Sequence, residues 1–408
     1  MLVVQKFGGS SVATNERIFN VARQVVATYN QGHRVVVVLS AMGKTTNHLI
    51  EQAKSIHPNP TQRELDVLLA TGEQVSCALM TMALHSLGVP AVSLTARQVS
   101  VATSSEHGNA RIHHIHTHRI NYELDKRHIV VVTGFQGADR HGNITTLGRG
   151  GSDTTAVATA CALGADLCEI YTDVEGVYTA DPNEIPTAIK LSEISYDEML
   201  ELASLGAKVL HNRSVEIAKK YNLNLVVRSS LSDAPGTVIK EKTTMEKMLI
   251  TGITTDKGVA KITVAGFADT PGTAFKLFSL ISSKNIGVDV IVQTQARRDG
   301  SNDISFTVAS QDLKETLAVL EANKDYLGYK EIITLDSLVK LSVVGAGMIS
   351  TPGIATAMFE ALYDIGVNIE VITTSEIKIS VLIDADMAKV AAASVHERLI
   401  ERNMNLFH

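Results

Sequence analysis

The sequence predicts an α/β protein in which a mostly parallel sheet is sandwiched by helices, followed by two smaller α+β modules. Three observations carry that prediction. Short apolar runs alternate with helical stretches through the first part of the chain, and Val35-Val36-Val37-Val38-Leu39 is apolar without interruption, as in a strand covered on both faces. Polar, glycine-rich turns follow the carboxyl ends of these runs, where open parallel sheets bind their ligands. Later in the chain a pattern of strand, Pro-Gly loop, helix and strand occurs twice.

Bulk properties narrow the class. A chain of 408 residues is too long for one ordinary core and suits two or three domains. Hydrophobic content of 45% with 20% charged residues is that of a soluble globular protein. A formal charge of -6 without a basic block argues against nucleic acid as main partner. No apolar run of membrane-spanning length is read in the sequence, and Met1 to Lys6 lacks a basic leader with an apolar core, so a cytoplasmic protein without membrane contact is expected. Cys77, Cys161 and Cys168 have no metal-ligand spacing and read as free thiols in a reducing compartment. The patch His113-His114-Ile115-His116-Thr117-His118 has no carboxylate or cysteine partner at metal spacing; it reads as a solvated helix start, and no metal site is expected.

In chain order, Leu2 to Val4 is the first strand, and Lys6-Phe7-Gly8-Gly9-Ser10-Ser11 is expected to turn it into a helix running to about Tyr29 and stopped by Gly32. Val35 to Leu39 follows, with Ser40-Ala41-Met42-Gly43-Lys44-Thr45-Thr46-Asn47 as a second small, polar turn before a helix. Thr61 with Glu64 has the spacing of a capping box for the helical stretch containing Gly72-Glu73. Ala91 to Leu94 and Ile129 to Thr133 are strands, the latter delivering Gly134-Phe135-Gln136-Gly137. Asp139 to Thr145, with His141-Gly142-Asn143 at its tip, reads as a hairpin. Leu167 to Tyr171 ends in the polar stretch Thr172 to Pro182, Ser195 with Glu198 forms a second capping box for a helix ending near Gly206-Ala207-Lys208, and Leu225 to Arg228 is the last strand before Ala234-Pro235-Gly236.

From Lys240 to Lys247 the composition turns charged and loses its apolar pattern, as a linker would. Beyond it, Lys261-Ile262-Thr263-Val264, Thr270-Pro271-Gly272 and Ile286-Gly287-Val288-Asp289-Val290 recur as Lys340-Leu341-Ser342-Val343, Thr351-Pro352-Gly353 and Ile365-Gly366-Val367-Asn368-Ile369. Further strands are expected at Ile304 to Val308 and Ile377 to Ile383. Two such modules can pair through their sheets, and their polar Pro-Gly loops suit a ligand site between modules.

The stretch around which the chain is organised is Thr145-Thr146-Leu147-Gly148-Arg149-Gly150-Gly151-Ser152-Asp153-Thr154-Thr155-Ala156. Glycines surround one arginine, and small residues then wind into a helix ended by Gly164. Backbone amides at a helix start attract an anion, and Arg149 offers a fork for a carboxylate or phosphate. The opening Lys-Phe-Gly-Gly-Ser-Ser is not the Walker A pattern, and no Gly-x-Gly-x-x-Gly follows the first strand. Glycines there still allow close backbone approach to phosphate oxygens beside the point charge of Lys6.

Eight motifs occur in the order found in aspartate kinases (aspartokinases): Lys6-Phe-Gly-Gly-Ser-Ser, Ser40-Ala-Met-Gly, Gly72-Glu73, Gly134-Phe-Gln-Gly, Thr145 to Asp153, Tyr171-Thr-Asp173, Gly176 to Pro182, and Gly206-Ala-Lys-Val-Leu-His211. The chain resembles that family over essentially its whole length. The resemblance implies an amino-acid-kinase αβα sandwich over 1–240, a linker over 241–258, and two ferredoxin-like ACT modules over 259–336 and 337–408. It implies transfer of the ATP γ-phosphate to the β-carboxylate of L-aspartate, with Mg2+, as the first step towards lysine, threonine and methionine. Lys6, Arg149 and Asp153 would be catalytic. Ser40, Thr46, Glu73, Gly150, Gly151, Ser152 and Asp153 would complete the acceptor pocket, with Arg149 on a substrate carboxylate and Glu73 on its ammonium. Lys6, Phe7, Gly8, Gly9, Ser10, Thr172, Asp173, Tyr178, Asp181 and Lys208 would line the nucleotide site.

By the same resemblance, lysine or threonine would inhibit through Asp269, Ala274, Gly287, Val288, Asp289 and Gln293 of one module with Asn368, Ile369, Glu370 and Ser375 of another. The modules would pair between chains, giving a homodimer or higher oligomer. A regulatory subunit made separately from an internal start near Met245 or Met248 is a further expectation. Two positions depart from the family pattern: Asn183 stands where many relatives carry arginine, and Asn212 where many carry proline. Two alternatives are a glutamate or acetylglutamate kinase of the same fold and a catalytically inert amino-acid sensor.

Overall fold

The computed structural model describes residues 1–206, 209–241, 249–294, 300–348 and 351–402. The chain forms two units, one of Met1–Thr179 with Ile189–Glu246 and one of Ala180–Ala188 with Lys247–His408.

The first unit runs β1 (Leu2–Phe7), α1 (Asn15–Asn30), β2 (Arg34–Leu39), α2 (Thr45–Ile56), α3 (Gln62–Leu69), α4 (Thr71–Ser86), β3 (Ala91–Leu94), β4 (Val101–Thr103), β5 (Ile112–Ile115), α5 (His118–Asp125), β6 (Ile129–Thr133), β7 (Gln136–Ala138), β8 (Ile144–Thr146), α6 (Gly151–Leu163), β9 (Leu167–Thr172), β10 (Glu193–Ser195), α7 (Tyr196–Ser204), α8 (Asn212–Tyr221), β11 (Leu225–Ser229) and β12 (Thr237–Lys240). Its main sheet has the order β10-β12-β11-β9-β1-β2-β6-β3. Among the described residues only the β11–β12 pairing of this sheet is antiparallel. Val35 to Leu39 are fully buried, as their uninterrupted apolar pattern demands. Chain order reverses about β1, whose neighbours β2 and β9 lead to opposite edges, so the carboxyl ends of these strands face a crevice. Phe7 and Tyr171 stack there with centroids 4.5 Å apart, fixing the two strand ends against each other.

Several local expectations change. The first glycine turn does not enter a helix directly: Gly9–Val12 is a 3-10 turn, and α1 starts only after Thr14, whose hydroxyl accepts from the Arg17 amide. Ser195 and Glu198 form a complete capping box, whereas Thr61 makes no side-chain cap and Glu64 pairs with Arg63 instead. The first four residues of the histidine patch lie on or beside strand β5, which pairs with β4, so only His118 starts a helix; cross-strand pairing overrides the local polarity. The expected hairpin forms as β7 and β8, its tip tied by the Asp139 carboxylate accepting from the amides of His141 and Asn143 at 2.9 Å. Helices α3 and α4 together, Gln62–Ser86, are long and apolar enough to cross a membrane, contrary to the expectation that no such run exists. More than half of its most apolar stretch is buried within the protein, and it carries the buried carboxylates Asp66 and Glu73, which fits core helices.

The second unit contains β13 (Gly252–Ala268), α9 (Thr273–Ser282), β14 (Ile291–Gln293), β15 (Ser301–Ala309), α10 (Leu313–Ala322), α11 (Lys324–Leu327), β16 (Glu331–Val344), α12 (Ile354–Asp364), β17 (Val371–Thr374), β18 (Lys378–Asp384) and α13 (Ala388–His396). Both repeats share one six-stranded sheet of order β14-β15-β13-β16-β18-β17. The span 241–258, expected to be a linker, therefore contains the start of a strand: Gly252 to Lys257 pairs with Val344 to Val339 of the second repeat, while Val259 to Ala268 pairs with β15 of the first. Gly258, at φ +89°, sits at a register shift against β16, which β13 pairs on both sides of it, and just before the pairing with β15 begins. The first repeat is thus bracketed in sequence by strands of the second. Strands expected at Ile286–Val290 and Ile365–Ile369 fall later, at β14 and β17, because the helices end in turns at Asn285 and Gly366 with positive φ. Met245 and Met248 lie outside the described residues.

Candidate active site

The site begins at the carboxyl end of β1. The Lys6 ammonium is 2.6 Å from the Asp153 carboxylate, and both side chains are nearly buried. Asp153 lies in the first turn of α6, where its charge complements the helix dipole and the small residues after it let the helix lie close to β1. Lys6 Nζ lies over Gly8, 3.4 Å from where a Cβ would stand. Gly9 has no room for a side chain, since a Cβ would fall 2.6 Å from the Ala41 carbonyl oxygen, and its own carbonyl accepts from the Gly43 amide at 2.9 Å. The two glycine turns following β1 and β2 are therefore interlocked.

From there contacts run continuously to Glu73. Ser152 packs on Gly134, whose missing Cβ would stand 2.7 Å from Ser152 Cβ and 2.8 Å from the Leu39 carbonyl oxygen. The neighbouring turn supplies Ser40, and its Ala41 amide donates to Glu73 Oε1 at 3.0 Å. Gly72 allows α4 to lie against Ala41, its Cβ position being 2.8 Å from Ala41 Cβ. Glu73 is 3% exposed and its Oε2 has no hydrogen-bond partner among the described residues. Burial pushes its carboxyl up to about 7, against the lowering effect of the Ala41 amide. A buried carboxylate with one free oxygen is a receptor for an ammonium group. Thr46 stands in the first turn of α2, beyond the same Ser40 turn.

The arginine loop reaches α6 through two left-handed glycines, Gly148 at φ +76° and Gly150 at φ +66°. A Cβ on Gly150 would overlap the His211 ring, and Gly151 lies against Phe135. Phe135 is itself left-handed at φ +67°, held by its amide donating to Thr155 Oγ1 at 3.1 Å and its carbonyl accepting from the Leu147 amide at 2.8 Å. Such conformations cost about 1–3 kcal/mol each and persist where surrounding contacts dictate them. Arg149 is exposed and has no ion pair among the described residues, which leaves its guanidinium available to a ligand. Lys6, Arg149, Ser152 and Asp153 thus gather around one helix start.

Residues 1–229 match the Amino acid kinase family and residues 341–399 match the ACT domain. An aspartokinase of Bacillus sp. (strain MGA3) is 49% identical over 97% of this chain and 96% of its own. An aspartate kinase of Pseudomonas putida is 50% identical over the same shares. The chain belongs to the aspartokinase family. Among solved structures, E. coli aspartokinase III in complex with aspartate and ADP superposes with a TM-score of 0.84 at 25% identity, covering 98% of this chain and 100% of that one. The same enzyme with lysine and aspartate superposes at 0.77, again with 25% identity, over 98% of this chain and 99% of that one.

In this aspartokinase-family chain the expected nucleotide residues divide. Phe7, Gly8, Gly9, Ser10, Thr172 and Asp173 sit at the ends of the adjacent strands β1 and β9, where the Gly8 amide donates to the Tyr171 carbonyl. Tyr178 belongs to the same unit through its bridge with Lys190, and burial beside Glu175 raises its phenol above the ordinary value. Asp181 instead lies in Ala180–Ala188, which groups with the second unit. That segment is tied there by the Glu184–Lys257 ion pair and by Thr187 Oγ1 donating to Glu401 at 2.6 Å. Asn183, in place of the family's arginine, binds Asp181 Oδ1 through its amide and Nδ2 at 2.9 and 3.0 Å. Asn212 opens α8 at the position where proline is favoured, so the turn is kept. Lys208 lies outside the described residues.

The expected effector residues occupy both edges of the second unit's sheet. Ala274 is in the first turn of α9, Gly287 to Asp289 precede β14, and Gln293 ends it. Asn368, Ile369 and Glu370 precede β17, with Ser375 just after. Asp269 Oδ1 accepts from Asn302 Nδ2 at 3.0 Å. Two reciprocal ion pairs join the repeats, Lys340 with Asp289 and Lys261 with Glu370. Sequence alone assigns no individual role to Gly72, Gly134 or Phe135. Their motifs are visible in it, but close approach and left-handed backbone are tertiary facts.

Proposed function

We infer that this chain transfers the γ-phosphate of ATP to the β-carboxylate of L-aspartate, giving 4-phospho-L-aspartate. The observation that carries the reading is the gathering of Lys6, Asp153, the free Arg149 and the buried, half-satisfied Glu73 around interlocked glycine turns. A carboxylate nucleophile, which in an aspartate side chain ordinarily titrates near pH ~3.9, is already ionised at neutral pH and needs no general base. The obstacle is bringing one anion against another. At ~4 Å and an effective dielectric of 20, unit charges repel by ~4 kcal/mol, enough to slow reaction about a thousandfold. Positioning and charge neutralisation are therefore the work of the site. Lys6, held at the strand end by Asp153, meets the transferring phosphoryl group, and the amides of Gly8 to Ser10 cradle phosphates. Arg149 and Glu73 hold the two charged ends of the amino acid, with Ser40, Thr46 and Ser152 between them. Thr172, Asp173 and Tyr178 line the nucleotide side.

The donor set does not fit a resident Mg2+, because among the described residues no three of His, Cys, Asp or Glu gather. The cation belongs with the nucleotide's phosphates, as Mg2+ usually does, and would there offset their negative charge. An ATP-consumption assay with aspartate, glutamate and acetylglutamate tests the reading. Aspartate-dependent turnover that Lys6→Ala reduces by orders of magnitude is expected; turnover only with another acceptor, or none, overturns it.

Regulation fits the second unit. Lysine, which the E. coli structure contains, and threonine are the effectors to test, alone and together, at millimolar levels. The effector residues flank β14 and β17, the edge strands of one six-stranded sheet, and Asp289 and Glu370 each meet a lysine of the other repeat, Lys340 and Lys261. The two edge strands are themselves open to pairing with a second copy. Exposed Ile291 and Val292 on β14 and Ile372 on β17 suit such edge-to-edge pairing, so a homodimer or higher oligomer is the working form, with a separately made regulatory half as an additional species. Acting on metabolites inside the cell, the protein works in the cytoplasm.

A further inference from the structure

Asp66 is a charged residue in the apolar run Leu65-Asp66-Val67-Leu68-Leu69-Ala70, and it is 1% exposed. None of the roles above uses it. Its carboxylate is nonetheless closely surrounded by donors. It accepts from the Thr146 amide at 3.0 Å, Thr146 Oγ1 at 2.6 Å, and the Gly108 amide at 3.0 Å, and it meets His107 Nδ1 at 2.9 Å. Burying a carboxylate is costly unless donors surround it, so this position is specified by what it holds.

What it holds is the base of the arginine loop. Thr146 ends β8, three residues before Arg149, and Gly148 lies against the Gly108 carbonyl oxygen, where a Cβ would come within 3.0 Å. From the other side, Arg213 on α8 donates to the carbonyl oxygens of Leu147 at 2.7 Å and Ala110 at 2.8 Å. On its own side Asp66 is fixed to the start of the Glu73 helix. The Ala70 amide donates to the Asp66 carbonyl at 3.0 Å, and α4 begins at the next residue. Asp66 therefore links the element bearing the ammonium receptor to the loop bearing the carboxylate clamp.

We propose that Asp66 is a positioning residue for the amino-acid acceptor: through Thr146 and Gly108 it sets the distance between Arg149 and Glu73, and so governs affinity for the acceptor without affecting the nucleotide. This rests on the aspartate-kinase reading. Arg213 is its counterpart on the far side of the loop.

The test uses the full chain and compares Asp66→Asn, Thr146→Val and Thr146→Ser with wild type. KM for aspartate, KM for ATP, kcat and direct aspartate binding by equilibrium dialysis are measured for each. Glu123→Gln serves as the structural control, because Glu123, on α5, is also a buried carboxylate with two partners, the Arg119 guanidinium and the His128 ring. Displacing the loop by a fraction of an ångström should raise KM for aspartate about tenfold or more in Asp66→Asn, with KM for ATP within about twofold. Thr146→Val should show a smaller rise that Thr146→Ser removes, and Glu123→Gln should lower Tm without moving either KM. The proposal is overturned if both KM values of Asp66→Asn rise together or neither moves, if Thr146→Ser is no better than Thr146→Val, or if Glu123→Gln raises KM for aspartate equally. Should Asp66→Asn fail to fold, the Thr146 pair decides. A wild-type protein that neither binds nor phosphorylates aspartate refutes the underlying reading instead, before any variant is made.

Discussion

Glu73 carries the sharpest residue-scale prediction. Its carboxyl is raised from the ordinary 4.5 to about 7 by burial, so the folded state holds a proton that the unfolded state has released. Stability therefore falls as pH rises from about 4.5 through 7, and the full cost, about 3 kcal/mol at most, is present above 7. Glu73→Gln keeps an acceptor for the Ala41 amide and removes the titration. Urea unfolding should find the variant more stable than wild type at pH 8.5 and close to it at pH 4.5. An ammonium needs the ionised form, so KM for aspartate in the wild type should fall between pH 6 and 8, while in Glu73→Gln it should be high and flat. A wild-type KM independent of pH over that interval would separate Glu73 from the ammonium.

Elements deliver these side chains through their termini, and two matched pairs of substitutions probe how. Gly150 and Gly164 flank α6, both left-handed, at φ +66° and +59°. A Cβ on Gly150 would strike His211, whereas nothing lies near Gly164. Gly164→Ala should cost only the left-handed penalty of about 1–2 kcal/mol and leave activity intact. Gly150→Ala should cost more and raise KM for aspartate, read by thermal unfolding and steady-state kinetics. The second pair concerns caps. Ser195→Ala removes a capping box and should cost about 1 kcal/mol, while Thr61→Ala, at a position with the same sequence signature but no side-chain cap, should cost little. Identical costs for the two would mean that the signature, and not the bond, carries the stability.

At the scale of the whole molecule, the second unit ends its shared sheet in two apolar edges. Phe275 on α9 and Tyr363 on α12 are 76% and 81% exposed, which a monomer has little reason to keep. Native mass measurement should find at least two chains per particle. Ile291→Lys, placing a charge on the β14 edge, should shift it towards one and abolish any response to lysine or threonine while sparing basal turnover. A dimer unaffected by charges on both β14 and β17 would place the interface elsewhere.

Much of this architecture is written locally. Val35 to Leu39, Ile129 to Thr133 and Leu225 to Arg228 announce buried parallel strands because the pattern of a doubly covered strand is continuous and short. The glycines around Arg149 mark a turn because φ above zero excludes most other residues. The order of such motifs suffices for the family. Partnership between distant segments is not written there. Nothing near Thr61 distinguishes it from Ser195, and nothing beside Gly252 to Lys257 announces that its strand partner is Val339 to Val344. Asp66 reads as one acid in an apolar helix until Thr146, Gly108 and His107 close on it. Backbone preference and burial pattern act over a few residues, so the sequence determined the elements and the chemistry they offer; the pKa of Glu73, the capture of Lys6 by Asp153 and the bracketing of one repeat by the other depend on desolvation and contact across the fold, which only the tertiary structure decides.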